Sequence, residues 1–282
     1  MPLFKYVTLD RIDILVNQEI RYTQLGEFND PFEMPVFMEP TMSVSTRERR
    51  EREVFLKNVR DEYEKLPDGA KKIMPLTEFL EEALKNKPTL SPPVVRIIEE
   101  FRQEAWTILK KAYKELPVLA LTEAPDNLLM WSHYSGKHTG IVIEFDEANL
   151  TFIQMTSPTD IYHRLRKVIY SEIRPIFEAV EEYSSADVML TKSIEWAYEK
   201  EWRIAKPAKE AQKTIPAFPY DICLFDMPAT AIKRVILGAR VSSEDVDRIR
   251  NIIRSIPHLR HIRLQQASLD ERRFALNFSD CE

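Results

Sequence analysis

The sequence predicts an α+β fold: a mixed, mostly antiparallel sheet core with a helical insertion at about 43–115. Three observations carry this expectation. Strand-like runs of β-branched and aromatic residues cluster before and after a charged central block. That block has apolar residues at helical spacing. Elsewhere strands and helices do not alternate with the regularity that a doubly wound parallel sheet requires. At 282 residues the chain is long enough for one α+β domain, 1–282, with a real core.

Taken in order, LFKYVTL reads as a first strand, LDRIDILVN as a short helix capped by Asp10, and EIRYTQL as a second strand. GEFNDPFEMP is a loop, because the Asn-Asp-Pro sequence opposes regular helix. In the central block, VSTRERREREVFLKNVRDEYEKL starts at Ser45 or Thr46, LTEFLEEALKN is capped by Thr77, and a third helix starts at Ser91 with Pro92 and Pro93 in its first turn. Solvated charged faces are the expectation for this block, with a partner-binding role as the alternative. Beyond it PVLALTE, TGIVIEFD, RKVIYSE, EWRIAK, KRVILG and HIRLQQ read as strands. SSEDVDRIRNIIRSI reads as a helix capped by Ser242 or Ser243, with acids in its first turn.

Composition narrows the function classes. A formal charge of −5 disfavours a broad nucleic-acid surface, though a local basic patch would still allow one. The N-terminal residues lack a signal-peptide pattern and no apolar run reaches the roughly 20 residues of a membrane helix, so a cytoplasmic protein without membrane contact is expected. Cys223 and Cys281 form neither a metal-ligand spacing nor a disulfide framework. Five glycines leave no room for a dinucleotide fingerprint or a Walker loop.

The candidate site residues fall in four places. Lys5 and Tyr6 sit mid-strand, pointing either to solvent or into a pocket at the strand end. Asn29 and Asp30 form a rigid turn between Phe28 and Phe32, and Asp30 or Glu33 could reach into a site. In LLMWSHYSGKHTGIVIEFD, Trp131, His133 and Tyr134 are too close together to share one face. Trp131 has the largest apolar surface and suits the core, yet Trp131, Ser132 and Tyr134 are all counted as candidate binding residues and His133 as a candidate catalytic one. His133 and His138 lack a third nearby ligand, so no metal is expected. Gly136 and Gly140 mark a tight turn or a close backbone approach, and Glu144 on the following strand is either exposed or a buried acid. In KSIEWAYEKEWRI, a helical reading lines up Glu195, Tyr198 and Glu199, whereas a strand reading puts Glu201 and Arg203 on one face, about 7 Å apart. That spacing suits a direct ion pair or joint recognition of a polar substrate.

FKY, FNDPFE, NLLMWSHYSGKHTGIVIEFD, KSIEWAYEKEWRI and VILG, in that order, resemble the bacterial family called domain of unknown function 2971, whose name implies no activity. More distantly, a polar residue on the first strand, an aromatic middle block and a late Glu opening a strand are similar to the plan of ADP-ribosyltransferases. That second resemblance implies an NAD-dependent transferase acting on a macromolecular acceptor, with NAD as substrate and no metal. It makes Glu201 the catalytic carboxylate, Tyr134 the ring that stacks on nicotinamide and Lys5 or Tyr6 the first-strand contact, with His133 and Arg203 in support. The departures are Lys-Tyr where the first strand usually has His or Arg, and a second acid, Glu199, that competes with Glu201 for the catalytic role. The alternatives are a hydrolase with His133 as base and Glu201 or Asp30 as its partner, and a non-catalytic ligand-sensing or interaction domain. The enzyme readings require Glu201, His133, Tyr134 and the Asn29–Asp30 turn to meet at one cavity. The binding reading requires Glu201 and Arg203 to satisfy each other with no cavity beside them.

Overall fold

A computed structural model of the chain describes residues 2–33, 37–38, 43–88, 92–152, 162–177 and 185–281. It divides into two compact units. The first comprises Met1–Val36, Lys111–Pro175 and Ser184–Glu282, and the second Phe37–Lys110 with Ile176–Tyr183.

The first unit is built on an eleven-stranded sheet. In chain order its strands are β1 (Leu3–Val7), β2 (Glu19–Gln24), β3 (Pro117–Thr122), β4 (Ile141–Phe145), β5 (Arg166–Lys167), β6 (Glu201–Ala205), β7 (Lys213–Ile215), β8 (Ile222–Asp226), β9 (Ile232–Leu237), β10 (Arg263–Leu269) and β11 (Leu276–Asp280). The order across the sheet is β7-β8-β2-β3-β1-β4-β9-β10-β11, with β6 on β3 and β5 on β6. Every pairing is antiparallel except β9 with β10, which are joined through the helix Ser243–Ser255. The fold is α+β with a mixed, mostly antiparallel sheet.

Among the helices of this unit are α1 (Asp13–Asn17), α2 (Leu128–Tyr134) and α3 (Ser243–Ser255). Alternation along the strands sorts the core into two layers. Leu3 and Val7 of β1, Leu119 and Leu121 of β3, and Ile141, Ile143 and Phe145 of β4 share one cluster with Ile14 and Leu15 of α1 and Ile249 and Ile253 of α3. Phe4, Tyr6, Val142 and Ile236 face the other way and meet Met130 and Trp131 of α2. Strand β4 is therefore buried on both faces, which explains the apolar run Ile141-Val142-Ile143 at its start. Trp131 is fully buried, and truncating so large a side chain to Ala costs about 3–5 kcal/mol.

The turn that leaves α2 accounts for two glycines. Gly136, Lys137 and His138 are left-handed in succession, at φ 59°, 59° and 71°. A Cβ on Gly140 would lie 2.3 Å from the Val7 carbonyl oxygen, so only glycine lets the chain pass from this turn into β4. Glu144 on β4 is partly buried and accepts from Arg234 Nε at 2.5 Å.

The second unit holds the helices Val44–Glu64, Asp68–Ile73, Leu76–Lys85 and most of Pro92–Lys114, with a short parallel pairing of Phe37–Met38 and Ile176–Phe177. Its helix starts differ from expectation. Ser43, not Ser45 or Thr46, caps the first helix, accepting from Thr46 N at 3.1 Å. Pro75 rather than Thr77 precedes Leu76–Lys85. Proline fixes φ at the helix entry but has no side-chain acceptor for the first-turn amides, so this helix starts without a side-chain cap. The expected start at Ser91 and the loop residues Met34 and Pro35 lie outside the described residues.

Two further expectations in the first unit are corrected. The first helix begins as a tight 3₁₀ turn at Leu9 after Thr8, so Asp10 lies inside it instead of capping it. RKVIYSE forms two strands with different partners: β5 pairs with β6, while Ile169–Ser171 runs parallel to Thr191–Ser193. Local propensity signals extended backbone but not which edge it joins. No helix among the described residues is long and apolar enough to cross a membrane.

Candidate functional site

The site starts from a split in the sheet. One edge of β3 pairs along its whole length with β6, from Val118 opposite Ala205 to Thr122 opposite Glu201. The other edge is shared: β2 pairs at Val118 and Pro117, β1 only at Thr122. The registers leave Leu119, Ala120 and Leu121 without a strand partner on that edge. Lys5 fills the gap, donating from Nζ to the Ala120 carbonyl at 3.0 Å. A cavity of about 270 Å³ opens beside the split, lined by Lys5, Tyr6, Phe28, Asn29, Tyr134, Lys192, Glu199 and Glu201 among others.

Glu199 and Glu201 reach the same cavity because of one backbone event. Ile194–Glu199 is a 3₁₀ helix, Lys200 adopts a left-handed conformation (φ 46°, ψ 51°), and β6 starts at Glu201. In a continuous α-helix the two side chains would diverge by roughly 200°. The helical and extended readings of this segment are thus each right for one half of it.

A buried charge cluster lies behind this wall. Lys192 Nζ is 2.6 Å from Glu199 Oε2, 3.0 Å from Glu201 Oε2 and 3.3 Å from Glu33 Oε1. Arg203 forks onto Glu201, with Nε 2.7 Å from Oε1 and Nη2 3.0 Å from Oε2. It also donates to Glu33 and, from Nη1, to the Met189 carbonyl at 2.6 Å. The Phe28 ring lies 5.1 Å from the guanidinium carbon. On the cavity side Tyr134 donates to Glu199 Oε1 at 2.7 Å, and Asn29 Nδ2 is 3.4 Å from the Tyr134 hydroxyl. The Tyr170 hydroxyl accepts from Glu201 N at 2.8 Å, and burial pushes that phenol up to about 12.

Three carboxylates here share two cations, and the surplus acid is tuned apart from its neighbour. Burial alone would raise both carboxyls. For Glu201 the Arg203 guanidinium and the Lys192 ammonium reverse that and hold it down to about 2. For Glu199 burial prevails over Lys192, so its carboxyl lies above the usual range. Burial would lower Lys192, but Glu201, Glu33 and Glu199 together drive it upward. Tyr134 is raised by burial and by the adjoining Glu199. Lys5 moves the other way: burial lowers its ammonium to about 8, and the pull of Glu201 is partly cancelled by Arg11.

Of the expected site residues, Lys5, Tyr6, Asn29, Tyr134 and Glu201 line the cavity. Tyr6 contributes its ring, since its hydroxyl donates to the Ala124 carbonyl at 2.7 Å. The others lie elsewhere. His133 is exposed on α2 and absent from the lining, because Trp131 turns one side of this short helix to the core and carries His133 outward. Ser132 is also exposed, 3.5 Å from His138 Nε2. Trp131 is core, donating to the Pro125 carbonyl at 2.8 Å. Asp30 is buried in its own turn, accepting from Phe32 N at 2.8 Å. Arg203 is fully buried behind Glu201. Glu201 and Arg203 do satisfy each other, yet a cavity lies beside them, so the arrangement shares a feature with each class of expectation.

Residues 130–204 match the family model described as a protein of unknown function (DUF2971). The match covers about a quarter of the 282-residue chain, so it is a likeness of this segment. Comparison with curated proteins finds no match, and neither does comparison with solved structures. The match does not extend to ADP-ribosyltransferases. The matched segment supplies Tyr134, Lys192, Glu199, Glu201 and Arg203, whereas Lys5, Phe28, Asn29 and Glu33 come from outside it.

Lys192, Glu199 and Glu33 are the residues that sequence reasoning underweighted. The signal was present: KSIEWAYEKEWRI alternates acids and bases around two Trp, a composition too charged for plain core and too aromatic for a solvated face. Chemically, the cavity presents an ionised carboxylate, a second carboxyl raised above the ordinary range by burial, and a lysine whose one side-chain hydrogen bond among the described residues is to a backbone carbonyl. Among the described residues no group of three or more His, Cys, Asp or Glu is arranged to hold a metal ion.

Proposed function

We propose that this protein is an enzyme of the ADP-ribosyltransferase type, breaking the nicotinamide–ribose bond of NAD and passing the ADP-ribosyl group to a macromolecular acceptor or to water. The observation that carries the reading is the pair Glu199 and Glu201. They line one cavity and are bridged by Lys192, and their environments push their ionisation apart. Carboxyls tuned in opposite directions are the pattern by which a site assigns distinct roles to like groups.

The chemistry uses that difference. When the C–N glycosidic bond breaks, its electron pair leaves with nicotinamide and positive charge develops on the ribose, as in glycoside hydrolysis. Glu201, ionised across the neutral range, faces that charge. Glu199 has the higher proton affinity and takes the proton from the incoming nucleophile, with Tyr134 holding its orientation. Phe28, Tyr6 and Tyr134 give the cavity aromatic walls for a flat heterocycle. The volume is just below the roughly 300–1,000 Å³ span of ligand pockets, which suits one end of a dinucleotide. A cytoplasmic setting fits this substrate.

The test is nicotinamide release from NAD by wild type, E199Q and E201Q, with circular dichroism confirming that each variant is folded. Release by wild type and a roughly 10²–10⁴-fold loss in a folded E199Q is the expected result. A folded wild type that neither releases nicotinamide nor is stabilised by NAD overturns the reading.

A further inference from the structure

Lys5 is the cavity's odd member. Lys192 and Arg203 each hold two or more carboxylates, but the Lys5 ammonium makes no ion pair among the described residues and donates to one backbone carbonyl, Ala120 O, at 3.0 Å. By alternation its side chain leaves β1 on the face opposite Phe4 and Tyr6, then turns into the gap between β1 and β2. Protein atoms surround it closely, yet it retains partial exposure and lines the cavity wall. An ammonium so placed loses hydration without gaining a counter-charge, which favours the neutral amine.

We propose that Lys5 is a reactive amine that forms a reversible imine with small aldehydes or ketones entering this cavity, an activity separate from the NAD reading and not resting on it. The neutral Nζ lone pair attacks the carbonyl carbon, and a proton passes from nitrogen to oxygen to give a carbinolamine. Glu199, whose carboxyl burial raises above the ordinary range, supplies a proton to the carbinolamine hydroxyl. Water leaves, and the nitrogen lone pair forms the C=N bond of an iminium ion. Attack by water reverses each step, so no external oxidant or reductant is needed. The geometry is that of activated lysines generally: a desolvated amine without a counter-ion, next to an acid. Burial and three neighbours set its titration: burial lowers the ammonium to about 8, Glu201 and Glu199 pull it back up, and Arg11 pushes it down. With that value about a tenth of Lys5 is neutral at pH 7, against well under a thousandth of an ordinary lysine.

The experiment treats the folded wild-type chain with propanal and sodium cyanoborohydride, which reduces the imine to a stable propyl-lysine, and maps labelled lysines by peptide mass spectrometry. At pH 7 Lys5 is expected to label at least tenfold faster than the exposed Lys137 and Lys209, with its rate rising to a plateau around pH 8. E199Q, run alongside, is expected to slow Lys5 while leaving Lys137 and Lys209 unchanged. Labelling of Lys5 no faster than the exposed lysines overturns the proposal, and an unchanged Lys5 rate in E199Q overturns the part given to Glu199. Nicotinamide release, measured on unlabelled protein, reports on the NAD reading independently.

Discussion

Two arginine–carboxylate forks in this protein have nearly the same geometry and opposite surroundings. Arg203 and Glu201 meet at 2.7 and 3.0 Å within β6, with side chains 0% and 6% exposed. Arg263 and Asp280 meet at 2.7 and 2.7 Å across β10 and β11, with side chains 60% and 54% exposed. Bidentate geometry alone therefore does not mark a functional pair. Water screens the outer fork and hydrates both partners if it opens. The inner fork has no such refuge, and its charges depend on Lys192, Glu33 and each other. Burial converts an ordinary ion pair into a fixed electrostatic wall beside a cavity.

The largest expected effect comes from breaking the inner fork. R203M strands Glu201 and Glu33 in the interior with Lys192 as their remaining cation, at a cost of about 3–5 kcal/mol in chemical denaturation. Replacing both partners, as E201L/R203M, should recover much of that loss, since well-packed apolar groups can match a buried pair. An R203M protein with the wild-type midpoint would mean that the fork is hydrated and the contrast with Arg263 is empty.

Acid titration sharpens the comparison with a smaller effect. The folded Glu201 carboxyl sits at about 2, below the roughly 4.3 of an unfolded glutamate, so between those values the unfolded chain binds more protons. The stabilisation is fully present above pH ~4.3 and is lost as pH falls through about 2, a difference of about 3 kcal/mol. Glu199 works in the opposite sense, because its raised carboxyl favours the folded state at lower pH. Denaturation midpoints of wild type and E201Q between pH 5 and 2 should converge as the pH drops. Parallel curves would show that Glu201 is not held ionised by the cluster.

The smallest effect is expected at the outer fork. R263A should leave the thermal midpoint where it is at physiological salt. A clear destabilisation there would show that edge-strand pairing of β10 with β11 depends on the fork more than its exposure implies.

Much of the fold was legible from local pattern. LFKYV, EIRYTQ, IVIEF and IKRVIL carry β-branched and aromatic runs, Ser242 announces α3, and the scarce glycines at 136 and 140 mark a real turn and a real close approach. The site was half legible. Glu201, Tyr134, Asn29 and Lys5 could be singled out by type and position, but His133 could not be told from a cavity residue, since which side of α2 faces the core depends on where Trp131 finds its pocket.

The sequence by itself determined the elements, the sheet class and the presence of an unusual charged and aromatic segment at 192–204, because propensity, alternation and turn chemistry act over a few residues. Only the tertiary structure decided that β1 and β2 share one edge of β3, that Lys5 closes the gap between them, and that Lys200 turns Glu199 and Glu201 toward one lysine. Those facts depend on pairing between segments up to about two hundred residues apart, and on how much water is left around each charge once they have met. Neither is encoded in any short stretch of the chain.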